Sequence, residues 1–338
     1  MKKNITVYDI ASEAGVSVAT VSRVLTNNAN VAELTRKKVQ DVIDKYDFQP
    51  NALARSLFKN ETKMIGCILP DITNPYYSSV FLEAENYALD LGYTLVLCNT
   101  MDKIMNDGIY FQTLVERQVD GIIYMGRHIA TSKESESFKK IIAKYTKRLP
   151  VVMINCDYSD DNCYLVQSSE EESFLGILEL LVQKGHRKIA LIGGIQGVKQ
   201  TDIKRNAFHR AVEKYNLDVK EEYIIEGDYT IEAGVNMMTK LLSAEDRPTA
   251  VMGINDIVSI GALKACQMNQ IRVPEDIVIT GFDNIPLSHY VYPSLTTVSH
   301  DYEKLGRKAV DIICDLSLGK TLEKKYEYSM NVIERDSI

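Results

Sequence analysis

Tryptophan is absent from this chain of 338 residues, and only eight prolines and six cysteines are present. Without tryptophan, any ring that stacks on a ligand must come from tyrosine, phenylalanine or histidine. No proline- or glycine-rich tract occurs, which excludes collagen-like and low-complexity architectures. The cysteines (Cys67, Cys98, Cys156, Cys163, Cys266, Cys314) form no C-x-x-C pair, and the five histidines are dispersed. That pattern argues against a metal site and for small apolar residues in a reduced core. No apolar run approaches the roughly 20 residues that span a bilayer, so no membrane segment is expected. Asp9 and Glu13 interrupt what would have to be the apolar part of a signal peptide, which points to the cytoplasm. H-E-x-x-H, G-x-S-x-G and G-x-x-x-x-G-K-[ST] are all missing, and Gly193-Gly194-x-x-Gly197 is not a dinucleotide fingerprint. No enzyme signature stands out, and no cofactor is implied.

What is present is ordinary for a globular chain: 45% hydrophobic and 25% charged residues, over a length that allows two or three domains. The charge is unevenly placed. Residues 1–60 hold nine Lys/Arg against six Asp/Glu, a net of +3. Of the 39 basic and 46 acidic residues, the remainder keeps 30 and 40, a net of −10. A small basic module on a large acidic one makes the first the candidate for meeting a polyanion.

The basic module reads as short helices. Thr6 with Asp9 three residues later forms a capping box, Gly15 permits a tight turn, and Ser17 can cap a second helix. In that second helix Val21, Val24 and Leu25 should face the core, leaving Val18, Ala19, Ser22 and Arg23 pointing away. A third helix is expected over Glu33–Tyr46 with Val39, Val42 and Tyr46 inward. From Met64 onward, apolar strands (such as Met64–Leu69, Thr94–Asn99, Gly121–Met125, Val151–Ile154, Lys188–Ile192, Tyr223–Glu226, Ala250–Gly253 and Ile277–Gly281) alternate with helical segments. Alternation of this kind implies parallel, doubly wound sheets, and eight strands suit two lobes. The expected class is therefore α/β: a small all-α head and two doubly wound lobes. Ligands of such folds sit beyond the carboxyl ends of the strands.

The segment Val7-Tyr8-Asp9-Ile10-Ala11-x-x-Ala14-Gly15-Val16-Ser17-Val18-Ala19-Thr20-Val21-Ser22-Arg23-Val24-Leu25 resembles the helix-turn-helix head of LacI/GalR-family transcription regulators. The likeness continues through Pro50–Leu57, Pro70–Tyr77, Gly185-His186, Asn255-Asp256, Gly281–Asn284 and Pro293–Val298, and is closest in parts to the catabolite-control branch. It implies a head over 1–48, a hinge over 49–61 and a core over 62–338 of the periplasmic-binding-protein type. One core lobe would take about 62–158 and 292–320, the other about 159–291 and 321–338. The second helix would enter a major groove, where Val18 and Ala19 meet thymine methyls and Arg23, beside Ser22, takes a guanine edge. Thr6, Tyr8, Ser17, Thr20, Asn30 and Thr35 would touch phosphates. Ala32 departs from the serine the family usually places before the third helix. In the hinge, Asn51 and Ala54 would approach the minor groove and Leu57 would wedge into it. A helix of about eight residues is not stable alone in water, so the hinge would form only on DNA. A homodimer on a pseudo-palindromic operator follows, and the lack of a heptad segment after Ile333 favours a dimer over a tetramer.

The resemblance also implies an effector between the lobes, lined by Asn74, Tyr76, Asn155, Lys204, Asn255, Asp283 and His300. Asn and Asp suit sugar hydroxyls, since the amide both donates and accepts and the carboxylate accepts from adjacent hydroxyls. Sugar-binding relatives carry Arg where Lys204 stands, and lysine cannot make the bidentate fork. The catabolite-control branch instead answers to the phosphorylated carrier protein HPr. Its partner-binding Tyr-Asp pair is replaced here by Glu303-Lys304, and its downstream Arg by Asp311. The expectation is thus a repressor of carbohydrate genes governed by a sugar or sugar phosphate. Phosphorylated HPr is the second reading, and a solute-binding protein without DNA function the third.

Overall fold

The computed structural model describes residues 5–25, 30–48, 61–101, 103–126, 133–156 and 163–338. The chain divides into two units, Met1–Thr62 and Lys63–Ile338.

The first unit holds α1 (Val7–Ala14), α2 (Val18–Leu25) and α3 (Glu33–Tyr46). The capping box at Thr6 is complete: its hydroxyl accepts from the Asp9 amide, and the Asp9 carboxylate accepts from the Thr6 amide at 2.9 Å. Gly15 ends α1 at φ 66°, the left-handed conformation that a residue without Cβ adopts freely. Ser17 Oγ accepts from the Thr20 amide at 3.2 Å and so starts α2. Ile10, Ala11, Val21, Val24, Val39 and Ile43 are the buried core. Tyr46 does not point inward as the sequence suggested. It is 39% exposed, and Ile43, one turn after Val39, takes the core position, with Val42 half-buried beside it. Ala32 stands before α3 without any side-chain cap.

In the second unit a six-stranded parallel sheet contains β1 (Met64–Leu69), β2 (Thr94–Asn99), β3 (Gly121–Tyr124), β4 (Val151–Ile154), β5 (Cys163–Ser168) and β11 (Lys325–Tyr328) in the order β11-β5-β4-β3-β1-β2. Helices α4 (Pro75–Asp90) and α12 (Tyr302–Ser317) cover one face, and α5 (Ile104–Glu116) and α6 (Lys133–Tyr145) the other. Alternation along β1 sends Ile65, Cys67 and Leu69 to the first face and Ile68 to the second.

The second lobe is a four-stranded parallel sheet of β7 (Ile224–Ile225), β6 (Ile189–Ile192), β8 (Ala250–Gly253) and β9 (Val278–Thr280), in that order. It is flanked by α7 (Glu170–Gln183), α8 (Lys199–Tyr215), α9 (Ile231–Leu242) and α10 (Asp256–Met268). Helices α9 and α10 lie so close that a Cβ on Gly234 would stand 2.1 Å from the Val258 carbonyl oxygen.

After β9 comes α11 (Pro286–Tyr290), and then the antiparallel pair β10 (Thr297–Ser299) and β12 (Asn331–Ile333) completes the set. Two segments expected in the second lobe belong to the first sheet instead: β5 pairs with β4, and β11 pairs with β5. β11 is the edge strand and β5 its neighbour; in both, burial is incomplete and the apolar run that announces a central strand is missing. Lys325-Tyr326-Glu327-Tyr328 merely alternates exposed and half-buried side chains.

Five of the six cysteines are buried and none of the six is joined in a disulfide. Burial pushes the Cys156 and Cys266 thiols up to about 12, which keeps them inert. Among the described residues no helix is long and apolar enough to cross a membrane.

Candidate functional site

The head offers a polar, solvent-facing edge. Thr6, Tyr8, Ser17, Ala19, Arg23 and Asn30 are exposed, while Val18, Thr20, Ser22 and Thr35 are half-buried. Val18 leans on the head core. Tyr8 is 74% exposed, costly for a ring that could have been buried and explicable if a partner covers it. Ser17 and Thr20 hydroxyls share a hydrogen bond at 2.9 Å, so both are held at the start of α2. Asn51, Ala54 and Leu57 lie outside the described residues.

In the body, all seven residues singled out for a ligand line one cavity of about 90 Å³ between the lobes. Backbone rules explain much of their orientation. Asn74 caps α4, its Oδ1 accepting from the Tyr76 amide at 3.0 Å. Asn255 caps α10 in the same way, accepting from the Val258 amide at 2.9 Å. Each N-cap uses the amide oxygen, which leaves the NH2 end available to a ligand.

Asn155 sits at φ 46° just after β4. Its Oδ1 accepts from the Ser168 amide at 2.7 Å and its Nδ2 donates to the Tyr76 hydroxyl at 2.7 Å. Burial, with the nearby Glu170 charge, holds the Tyr76 phenol well above its usual range, so it stays neutral. His300 links both lobes: Nδ1 lies 2.8 Å from Ser168 Oγ and Nε2 lies 3.3 Å from Asp283 Oδ1. The Tyr76 and His300 rings stand 4.9 Å apart, and Tyr302 donates to the Asp283 carbonyl at 2.6 Å.

Behind this wall Asp256 is fully buried. Burial and the Asp283 charge raise its carboxyl well above the usual range, while Thr297 (2.5 Å) and the Ile285 amide (2.8 Å) donate to it. It fixes the Phe282–Ile285 loop, and hence Asp283, to β10.

Among the cavity residues that sequence reasoning missed, three make polar contacts that shape the wall. Glu170 lies 3.5 Å from Lys204 Nζ, Gln200 donates to the Asn155 carbonyl across the lobes, and Thr201 shares a 2.7 Å hydrogen bond with the Tyr229 hydroxyl. Gln200 and Thr201 open α8 and could have been found from the loop after β6, where such folds place ligands. Among the described residues no group of three His, Cys, Asp or Glu side chains could hold a metal.

A two-lobed body with a polar cleft, on the same chain as a helix-turn-helix head, defines a ligand-responsive DNA-binding regulator. Residues 6–51 match the model for bacterial regulatory proteins of the lacI family, and residues 178–338 match that for a periplasmic binding protein-like domain. The chain is 33% identical over 337 residues to the HTH-type transcriptional repressor PurR of Aliivibrio salmonicida, covering 98% of each. It is 35% identical over 340 residues to the repressor of that name from Aliivibrio fischeri, again covering 98% of each. A lac repressor dimer bound to operator and the anti-inducer ONPF matches with a TM-score of 0.86 at 25% identity, over 99% of both chains. The chain belongs to the lacI family of bacterial regulatory proteins. It is a DNA-binding transcription regulator rather than an enzyme.

Proposed function

We propose that the protein is a cytoplasmic repressor of carbohydrate genes that binds a pseudo-palindromic operator as a homodimer and responds to a sugar-like molecule in the cleft. In this reading Val18, Ala19, Ser22 and Arg23 meet bases, and Thr6, Tyr8, Ser17, Thr20, Asn30 and Thr35 meet phosphates. Asn51, Ala54 and Leu57 engage the minor groove. The observation that carries the effector half is the convergence of Asn74, Tyr76, Asn155, Lys204, Asn255, Asp283 and His300 on one cavity. At about 90 Å³ that cavity is well below the roughly 300 Å³ at which drug-sized ligand pockets begin, so a sugar enters only when the lobes part. Opening breaks the Tyr302–Asp283 and Gln200–Asn155 bonds between the lobes, and that motion is the switch.

A small molecule is favoured over phosphorylated HPr by what occupies the three departing positions. Lys304 pairs with Asp301 at 2.7 Å, Glu303 pairs with Arg307 at 3.1 Å, and Asp311 accepts from the Tyr87 hydroxyl at 2.7 Å. These groups are engaged within the chain. The test is selection of duplexes from a random pool. It should return a two-fold-symmetric sequence, and Arg23→Ala should relax one position per half-site by about 1–3 kcal/mol, roughly 5–150-fold. Enrichment of no symmetric site would refute the reading.

A further inference from the structure

Lys204 and Glu170 face each other on the cavity wall, and neither is well served. The Lys204 ammonium, 6% exposed, has Glu170 Oε2 at 3.5 Å, the Ile254 carbonyl at 3.4 Å and the Phe282 ring centroid at 3.7 Å. Three donors thus have one long hydrogen bond, one ion-pair contact and a ring face. Glu170 Oε2 is out of contact with solvent and accepts no hydrogen bond. A buried ion pair is costly unless further hydrogen bonds complete it; this one is short of partners, and both of its residues line the cavity.

The charge balance of the wall is equally informative. Its ionisable side chains are Glu170, Lys204, Asp283 and His300, with the Tyr76, Tyr77 and Tyr229 phenols. Lys204 already has Glu170 as its counter-ion, and Asp283 faces His300. An incoming anion therefore meets two carboxylates and a lysine whose charge is spoken for.

We infer that Glu170 is a specificity-determining residue of the cleft. With Lys204 it takes a neutral ligand group, such as a hydroxyl, that donates to Oε2 while accepting from Nζ, and it turns away ligands bearing phosphate or carboxylate. This rests on the cleft being the effector site, and it chooses the neutral sugar over the sugar phosphate that the sequence reading also allowed.

The experiment uses the full chain and inorganic phosphate, an anion small enough for the cavity. Glu170→Gln keeps the side chain's shape and removes its charge, which releases Lys204 to a ligand. Binding is read by thermal shift and calorimetry against chloride of matched ionic strength. The expected result is negligible phosphate binding by the wild type and an affinity gain of roughly tenfold or more in Glu170→Gln, since like-charge juxtaposition is then relieved. The gain should vanish in the double variant Glu170→Gln, Lys204→Met. Equal phosphate binding by the wild type, no gain in Glu170→Gln, or a gain that persists without Lys204 would each overturn the inference. If Glu170→Gln does not fold, Glu170→Ala carries the same comparison. Duplex selection with the wild-type chain runs alongside. Its failure would sink the symmetric-operator reading and leave the phosphate result to judge Glu170 alone.

Discussion

Ile10→Ala should silence DNA binding by unfolding one unit while the other stays intact. Ile10 is fully buried in a head core of six buried side chains, so little surrounds it that could collapse into the space. Removing three buried carbons from such a site costs about 2–5 kcal/mol. The head's described residues number only about 40, and at about 0.05–0.15 kcal/mol per residue their stability is about 2–6 kcal/mol. The loss is therefore comparable to everything that keeps it folded. In a body several times larger the same change would be tolerated.

Scanning calorimetry of the wild type should show two transitions, since the chain divides into two units. In the variant the smaller transition should fall by tens of degrees or vanish, because unfolding entropy of about 2.1 cal/mol/K per residue makes a small domain's midpoint sensitive to each kcal/mol. The larger transition should not move, and operator retardation should be lost. Retardation within twofold of the wild type, or a joint shift of both transitions, would refute the reasoning.

Three other outcomes are expected. A chain lacking residues 1–60 should keep the body's transition and lose DNA retardation; a body that still retards the selected duplex would contradict the division of labour. Gly234→Ala should lower the body's urea midpoint by an amount equivalent to about 1–3 kcal/mol or more, because its Cβ would clash with the Val258 carbonyl in an interior that cannot give. An unchanged midpoint would show that α9 and α10 can separate cheaply. Asp246 is held down to about 2 by hydrogen bonds from Lys188 and Lys220, the latter at 2.8 Å. Its folded value lies below the usual one near 3.9, so its contribution is present above about pH 4 and is lost as pH falls toward 2. The gap in urea midpoint between wild type and Asp246→Asn should therefore be widest near neutral pH and close on acidification. A gap that grows on acidification would reverse the assignment.

How far the sequence disclosed this molecule varied with the kind of physics at each place. Central strands such as Ile189–Ile192 and Ala250–Gly253 are continuous apolar runs, because both faces of a parallel sheet are covered, and they could be read directly. The edge strand Lys325–Tyr328 and its neighbour Cys163–Ser168 are only partly buried, lack a continuous apolar run, and passed unnoticed for that reason. In the head, Ile43 and Tyr46 both fit a helical stripe, and only packing decides which is buried. At the cleft, Asn74, Asn255 and Asp283 were legible through the family resemblance, and they stand in the loops that follow strands. Glu170 was not, because in Glu170-Glu171-Glu172 it looks like an acidic helix start that favours the dipole. Its approach to Lys204 depends on α7 and α8 packing side by side, which no local pattern encodes.

The threading of the first sheet has a consequence for the order in which the protein comes into being. Its edge strand, Lys325–Tyr328, leaves the ribosome roughly 157 residues after Ser168 closes the adjoining strand, about 8–30 s later at about 5–20 residues per second. Until then the side of β5 that β11 will cover stands open on the nascent chain, a bare strand edge that invites wrong pairing. The head, by contrast, has every residue of its core within the first 43. During each round of synthesis the unit that meets DNA can therefore be finished well before the unit that senses its ligand.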